Sequence, residues 1–298
     1  MPRSNGGSSV SQRTTGLTGI VPVVLVSPRV FADPDRLGDD LAALIVARLK
    51  DRPAGRPFLL GCPGGRSPRT TYRHLARRGA AERLDLSALV IVMMDEYVIA
   101  EPTGGFTSVS ADEAYSCRRF GVNEIVGELN QALTAASAPA AYRLPAENLW
   151  LPDPQHPADY DQQIADAGGI DLFILASGAS DGHIAFNPPG TDADSRTRVV
   201  TLPVSTRRDN LVTSPSFGGD LDAVPSHGVS VGIATIRDLS AEVVMIAHGA
   251  DKALAARRLA EADHYQADWP ATVLADCRSP QLFVDRAALP TGAITQTG

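Results

Sequence analysis

Apolar runs of strand length alternate along the chain with stretches in which apolar residues recur every three or four positions. Val23 to Val26 is a short, mostly β-branched run just after Pro22. From Asp35 to Leu49, the residues Leu37, Leu41, Leu44, Ile45 and Leu49 fall at helical spacing. Phe58-Leu59-Leu60 leads into Gly61-Cys62-Pro63-Gly64-Gly65, and a helix is predicted to begin near Ser67-Pro68. Leu89 to Met94, Leu172 to Ala176, Val229 to Ile233, Val243 to Ala247 and Leu282 to Val284 read as further strands, and Asp251 to Ala262 as a helix. Most of these runs are nearly continuous, as expected for strands buried on both faces. The alternation predicts an α/β fold with a doubly wound, mainly parallel sheet flanked by helices, a Rossmann-like three-layer sandwich. No internal repeat and no linker rich in Pro or Gly divides the chain, so one domain over residues 19–290 is expected. Ala132 to Ala141 and Pro152 to Pro157 read as surface connections. The first eighteen residues, rich in Ser, Gly, Thr and Arg, read as a disordered tail and not as a signal peptide.

Three polar clusters follow predicted strands: Gly61 to Ser67, Asp95-Glu96-Tyr97 and Gly178 to Asn187. Ligands of such sheets bind at the carboxyl ends of the strands, so the three clusters predict a site. In Gly64-Gly65-Arg66-Ser67-Pro68 the glycines can aim backbone N–H groups at an anion, Ser67 can cap a helix, and Arg66 can add a charged fork. A plain strand-to-helix turn accounts for this pattern equally well. Asp95 and Glu96 are adjacent on an extended chain and face opposite ways, so one carboxylate is expected in the pocket. A carboxylate at an apolar rim can shuttle protons. Taken alone, the pair reads better as acids at a turn or helix start. In Gly178-Ala179-Ser180-Asp181-Gly182-His183 an acid precedes a histidine by two residues in a loop, a pattern in which Asp181 could orient an imidazole that moves protons. The remaining histidines, His74, His156, His227, His248 and His264, are read as solvated. No metal-ligand spacing links the six histidines, so no metal is expected.

With 44% hydrophobic and 20% charged residues, the 298-residue chain has the composition of a protein with a core. A net charge of −7 implies no basic face, which argues against nucleic acid and anionic membrane as partners. Any anionic ligand must then be held by a few local donors. Cys62, Cys117 and Cys277 are odd in number and widely spaced, as in a reduced, cytoplasmic protein.

Met94-Asp95-Glu96-Tyr97, Asp181-Gly182-His183-Ile184-Ala185-Phe186-Asn187 and Ser195-Arg196-Thr197-Arg198 resemble the signature segments of the glucosamine-6-phosphate deaminase/isomerase family. Leu144-Pro145-Ala146-Glu147-Asn148, Thr206-Arg207 with Asn210, and Lys252-Ala253-Leu254 follow in the family's order, so the resemblance runs from about Leu59 to Val284. The seven-residue string from Asp181 is highly specific. Its first three residues are shared with the sister 6-phosphogluconolactonases, and the Gly-Gly-Arg-Ser-Pro loop leans toward those lactonases in spacing. The resemblance implies an enzyme that converts glucosamine 6-phosphate, or a close amino sugar phosphate, to a ketose 6-phosphate and ammonia, without a cofactor. Asp95 would be the isomerising base, and His183 with Asp181 would open the sugar ring. Gly64, Gly65, Arg66, Ser67 and Lys252 would hold the phosphate. The alternatives are a lactone hydrolase and a sugar-phosphate-binding protein with little turnover. The implied partner is a small-molecule sugar phosphate, with a homo-oligomer allowed.

Three positions depart from the resemblance. A glutamate expected directly after Phe186-Asn187 is Pro188, so ring opening should be slower, water-assisted or aimed at another substrate. A phosphate-binding arginine expected after Asn210 is Val212, with Arg66 a candidate to restore the charge. A lysine used for activation in some members is Val200.

Overall fold

The computed structural model describes residues 25–289, and the expected tail lies outside them. Eleven strands are described: β1 (Pro28–Phe31), β2 (Phe58–Cys62), β3 (Leu89–Met93), β4 (Asp95–Ala100), β5 (Phe106–Ser108), β6 (Leu149–Trp150), β7 (Leu172–Ala176), β8 (Arg198–Thr201), β9 (His227–Ser230), β10 (Val243–Ala247) and β11 (Pro280–Asp285). Seven form a sheet in the order β1-β11-β10-β7-β2-β3-β6, and every pairing in it is parallel. Successive residues of its strands alternate between two cores. Leu59, Val90, Phe173 and Met245 pack on one face; Leu60, Ile91, Ile174 and Ile246 pack on the other.

Helices cover both faces, as the apolar strands require. Helices α1 (Pro34–Asp51) and α2 (Arg69–Glu82) lie on one side. With them sits a continuous helical stretch formed by α3 (Cys117–Phe120), the π-helical Gly121–Gly127 and α4 (Glu128–Ala135). Helices α5 (Pro157–Asp166), α7 (Ile233–Leu239) and α8 (Ala253–Glu261) lie on the other. Helix α6 (Val204–Thr213) belongs to a smaller unit around a second sheet, β5-β4-β9-β8, which is antiparallel throughout. A separate aromatic cluster under it holds Tyr97, Phe186 and Phe217.

Several expectations shift. The first described strand is Pro28–Phe31; Val23 and Val24 of the expected Val23–Val26 strand lie outside the described residues, and Val26 packs into the core from non-strand chain. Val229–Ile233 splits into the end of β9 and the start of α7. That strand belongs to the second sheet, because a short apolar run does not reveal which sheet buries it. The alanine-rich stretch expected as a surface connection begins with the last turns of α4, since alanine favours helix wherever one face can be buried. Asp251 and Lys252 form a 3₁₀ turn ahead of α8.

The chain lays down β2, β3 and β6 in one direction and β7, β10 and β11 in the other, and the reversal falls between β2 and β7. A crevice opens at the carboxyl ends of strands at such a point. Here the two strands approach closely through Gly61, where a Cβ would lie 2.1 Å from the Phe173 ring. Gly61→Ala should therefore overpack the sheet and lower stability by about 1–3 kcal/mol in urea denaturation, with partial recovery when Phe173→Leu is added.

Candidate active site

The three sequence clusters converge on a cavity of about 400 Å³ at this reversal. The first element is the loop after β2. Gly64 and Gly65 leave its inner side open, for a Cβ at either would meet nothing within 4 Å. Arg66 lines the cavity and is ion-paired with Asp251. Ser67 is buried and also lines it, but it does not cap α2; Pro68 stands at the cap position and offers no side-chain bond. His248, expected to be solvated, donates from Nε2 to the Ser67 carbonyl at 2.9 Å and so joins this loop to the end of β10. His74 is likewise held between Asp35 and Asp39.

The second element is the Asp95-Glu96 pair, and the two carboxylates part as expected. Glu96 turns away from the cavity and accepts four hydrogen bonds, from the N–H groups of Tyr97, Cys117 and Arg118 and from the Ser116 hydroxyl, at 2.8–2.9 Å. Asp95 faces the cavity and is 6% exposed. Burial pushes its carboxyl up to about 7; the hydrogen bond from Cys117 and the charge of His183 oppose this, and Glu96 adds to it.

The third element is the bent loop after β7. His183 Nδ1 lies 2.7 Å from Asp181 Oδ1, and Thr206 on α6 donates to Asp181 Oδ2 at 2.8 Å. Burial works against a charged Asp181, but the His183 and Thr206 hydrogen bonds outweigh it and hold the carboxyl well below the usual range. A Cβ at Gly178 would fall 2.3 Å from His183 Nδ1, so the loop closes only over a glycine. Asn187, fully buried, fastens the far end by donating to the carbonyls of Ile184 and Val231 and accepting from Arg198. Ala185 between them adopts a left-handed φ of 49°, strain that this loop must hold by its other contacts.

Lys252 is buried at the foot of α8, with Nζ donating to the Ser177 carbonyl at 2.6 Å. Burial lowers its pKa, while Asp209 and Asp251 oppose that. Seven of the eight residues singled out in the sequence line the cavity, and the eighth, Asp181, is hydrogen-bonded to His183.

Two residues that sequence reasoning missed also line it. Asp209 on α6 has Oδ2 4.0 Å from His183 Nδ1 and is held by the N–H and hydroxyl of Ser180. Cys117 on α3 points its thiol at Asp95. Neither belongs to a local motif. Pro188 does not line the cavity; its carbonyl accepts from Thr191 in a turn. Arg207 is engaged by the carbonyls of Leu221 and Val224, and Val200 packs into the aromatic cluster. The Val212 side chain is outside the described residues. Among the described residues, one group has metal-ligand spacing, Asp181, His183 and Asp209, with ligand atoms within 4.8 Å of one another. Its carboxylate oxygens are taken by His183, Thr206 and Ser180, which makes it a hydrogen-bonded network.

Residues 32–283 match the family described as glucosamine-6-phosphate isomerases/6-phosphogluconolactonase. The chain belongs to this family. It is 37% identical over 230 residues to a glucosamine-6-phosphate deaminase of Beutenbergia cavernae, covering 77% of this chain and 80% of that one. It is 36% identical over 259 residues to one of Mycolicibacterium smegmatis, covering 87% and 90%. Among solved structures, a monomeric glucosamine-6-phosphate deaminase superposes with a TM-score of 0.73 at 26% identity, covering 88% of this chain and 98% of that one. A 6-phosphogluconolactonase from Leishmania guyanensis shares the fold, with a TM-score of 0.64 at 18% identity over 91% and 100% of the two chains. Among the described residues no helix is long and apolar enough to cross a membrane.

Two stability measurements check this site. Glu96→Gln replaces an acceptor oxygen with an amide that faces donors, and should cost roughly 1–3 kcal/mol for each donor left unpaired. For Asp95, the folded pKa lies above the unfolded one, so its contribution is fully present below about pH 4 and is lost as pH rises toward 7. Asp95→Asn should thus match the wild type at acid pH and exceed it by up to about 4 kcal/mol above pH 7, read as a pH series of denaturation midpoints.

Proposed function

We propose that this chain isomerises and deaminates glucosamine 6-phosphate, or a close amino sugar phosphate, to a ketose 6-phosphate and ammonia. The observation that carries the reading is the buried carboxyl of Asp95, at a pKa of about 7, in one cavity with the His183–Asp181 pair and the cations Arg66 and Lys252. His183, engaged through Nδ1, has Nε2 left to pass a proton between the anomeric hydroxyl and the ring oxygen, which opens the ring. Asp95 as carboxylate then takes the proton from C2 and returns it to C1. Water adds at C2 of the resulting imine, and ammonia leaves. A base near neutrality suits this, because half of it is ionised at working pH and it still holds a proton well enough to return it. The Gly64–Ser67 loop and Lys252 hold the 6-phosphate, with Arg66 freed from Asp251 to join them.

Lactone hydrolysis needs a histidine to activate water but no base between C1 and C2, so the burial of Asp95 favours isomerisation over that alternative. Asp209 stands beside the imidazole where Pro188 offers no carboxylate, and acts there as a second positioning acid. The three free, buried cysteines fit a reducing, cytoplasmic setting.

Assays of ammonia and ketose phosphate release test the reading. Activity should rise with pH as Asp95 ionises, with the acid limb of kcat/KM near 7. His183→Ala and Asp95→Asn should each remove nearly all turnover, and Asp209→Asn should lower kcat by about tenfold or more. Lys252→Ala should lower kcat/KM by about ten- to a hundredfold, chiefly through KM, with the fold intact by circular dichroism. Lactone hydrolysis without ammonia would overturn the reading.

A further inference from the structure

We propose that Cys117 is a positioning residue for Asp95: its thiol donates a hydrogen bond that fixes the orientation of the carboxylate and sets how readily it takes a proton. The inference rests on the reading of Asp95 as the isomerising base. Cys117 Sγ lies 3.3 Å from Asp95 Oδ1, and both side chains line the cavity while almost wholly buried. The thiol is delivered there by the neighbouring acid. Glu96 accepts from the Cys117 N–H at 2.9 Å and from the Arg118 N–H at 2.8 Å, which locks the first turn of α3 against β4. Two consecutive carboxylates thus grip one cysteine, Glu96 by its backbone and Asp95 by its side chain.

The chemistry suits a thiol. Burial and the nearby charges of Asp95 and Glu96 push the Cys117 pKa well above its ordinary value, so it stays protonated and remains a donor. A thiol is a weak donor, so it orients the carboxylate without holding it firmly in the charged form. A lysine or arginine in that place would keep Asp95 ionised far below neutrality and make it a poor base. The other groups whose charge reaches Asp95 are Glu96 on the same strand and His183 on the loop after β7, and Tyr97 and Tyr160 are coupled to it. Among the described residues, Cys117 is the donor that touches it.

The test is the pH profile of kcat/KM for ammonia release from glucosamine 6-phosphate. Cys117→Ala should move the acid limb to higher pH by about one unit, so that activity is lost near pH 7 and regained at pH 9. Cys117→Ser, which restores a donor, should bring the limb back toward the wild type. An unmoved limb in Cys117→Ala, or one that serine leaves displaced, overturns the proposal. If the alanine variant does not fold, the S–H infrared band of the wild type decides: it should shift as Asp95 ionises and stay constant in Asp95→Asn, and a band indifferent to pH in both overturns the proposal. The functional reading fails separately, by Asp95→Asn retaining turnover. An inactive Asp95→Asn with an unmoved Cys117→Ala limb removes only this inference.

Discussion

Glu96 is a carboxylate buried next to Asp95, and this wall of the cavity is arranged around satisfying it. A carboxylate removed from water is tolerated only when donors replace its hydration, and here three backbone N–H groups and a hydroxyl do so. Three of those donors, the Ser116 hydroxyl and the Cys117 and Arg118 N–H groups, belong to the turn that opens α3, so satisfying Glu96 also fastens that turn to β4. Because neighbouring residues of a strand point oppositely, fixing Glu96 outward fixes Asp95 inward. One buried carboxylate therefore sets the wall of the cavity and the direction in which Asp95 points.

The rest of the site balances burial against local charge. Burial drives Asp95 and Lys252 toward their neutral forms, one by raising its pKa and the other by lowering it. Asp181 shows the opposite outcome, since two good donors keep it charged in spite of burial. The protein is acidic overall, so no long-range field draws an anion in. Arg66, Lys252 and the open backbone of the glycine loop are the cationic and N–H groups the cavity wall offers at contact range, and Arg66 is ion-paired with Asp251.

The fold is shared with lactonases at low identity, so it does not select the reaction. What distinguishes the two chemistries is whether a proton must travel between adjacent carbons. The buried, raised-pKa carboxyl of Asp95 is the group that the proposed isomerisation would use in that journey.

Much of this was legible in the sequence. The runs at Leu89 to Met94, Leu172 to Ala176 and Val243 to Ala247 are of strand length and nearly continuous in apolar residues, as strands covered on both faces are. The polar clusters that follow such strands come together at the cavity, as the carboxyl ends of the strands predict. Asp95, His183 and Lys252 could be picked out because each lies in a segment with a recognisable local order. Tertiary structure alone decided the others. Cys117 meets Asp95 across 22 positions of chain, and Asp209 reaches His183 from a helix in the second unit. Val229 to Ser230 pairs with β4 and not with the main sheet. Local patterning records whether a residue is buried and in what kind of element, because propensity and periodicity act over a few positions. It does not record which distant element supplies the burial or the hydrogen bond, because that partner is chosen by the packing of the whole chain.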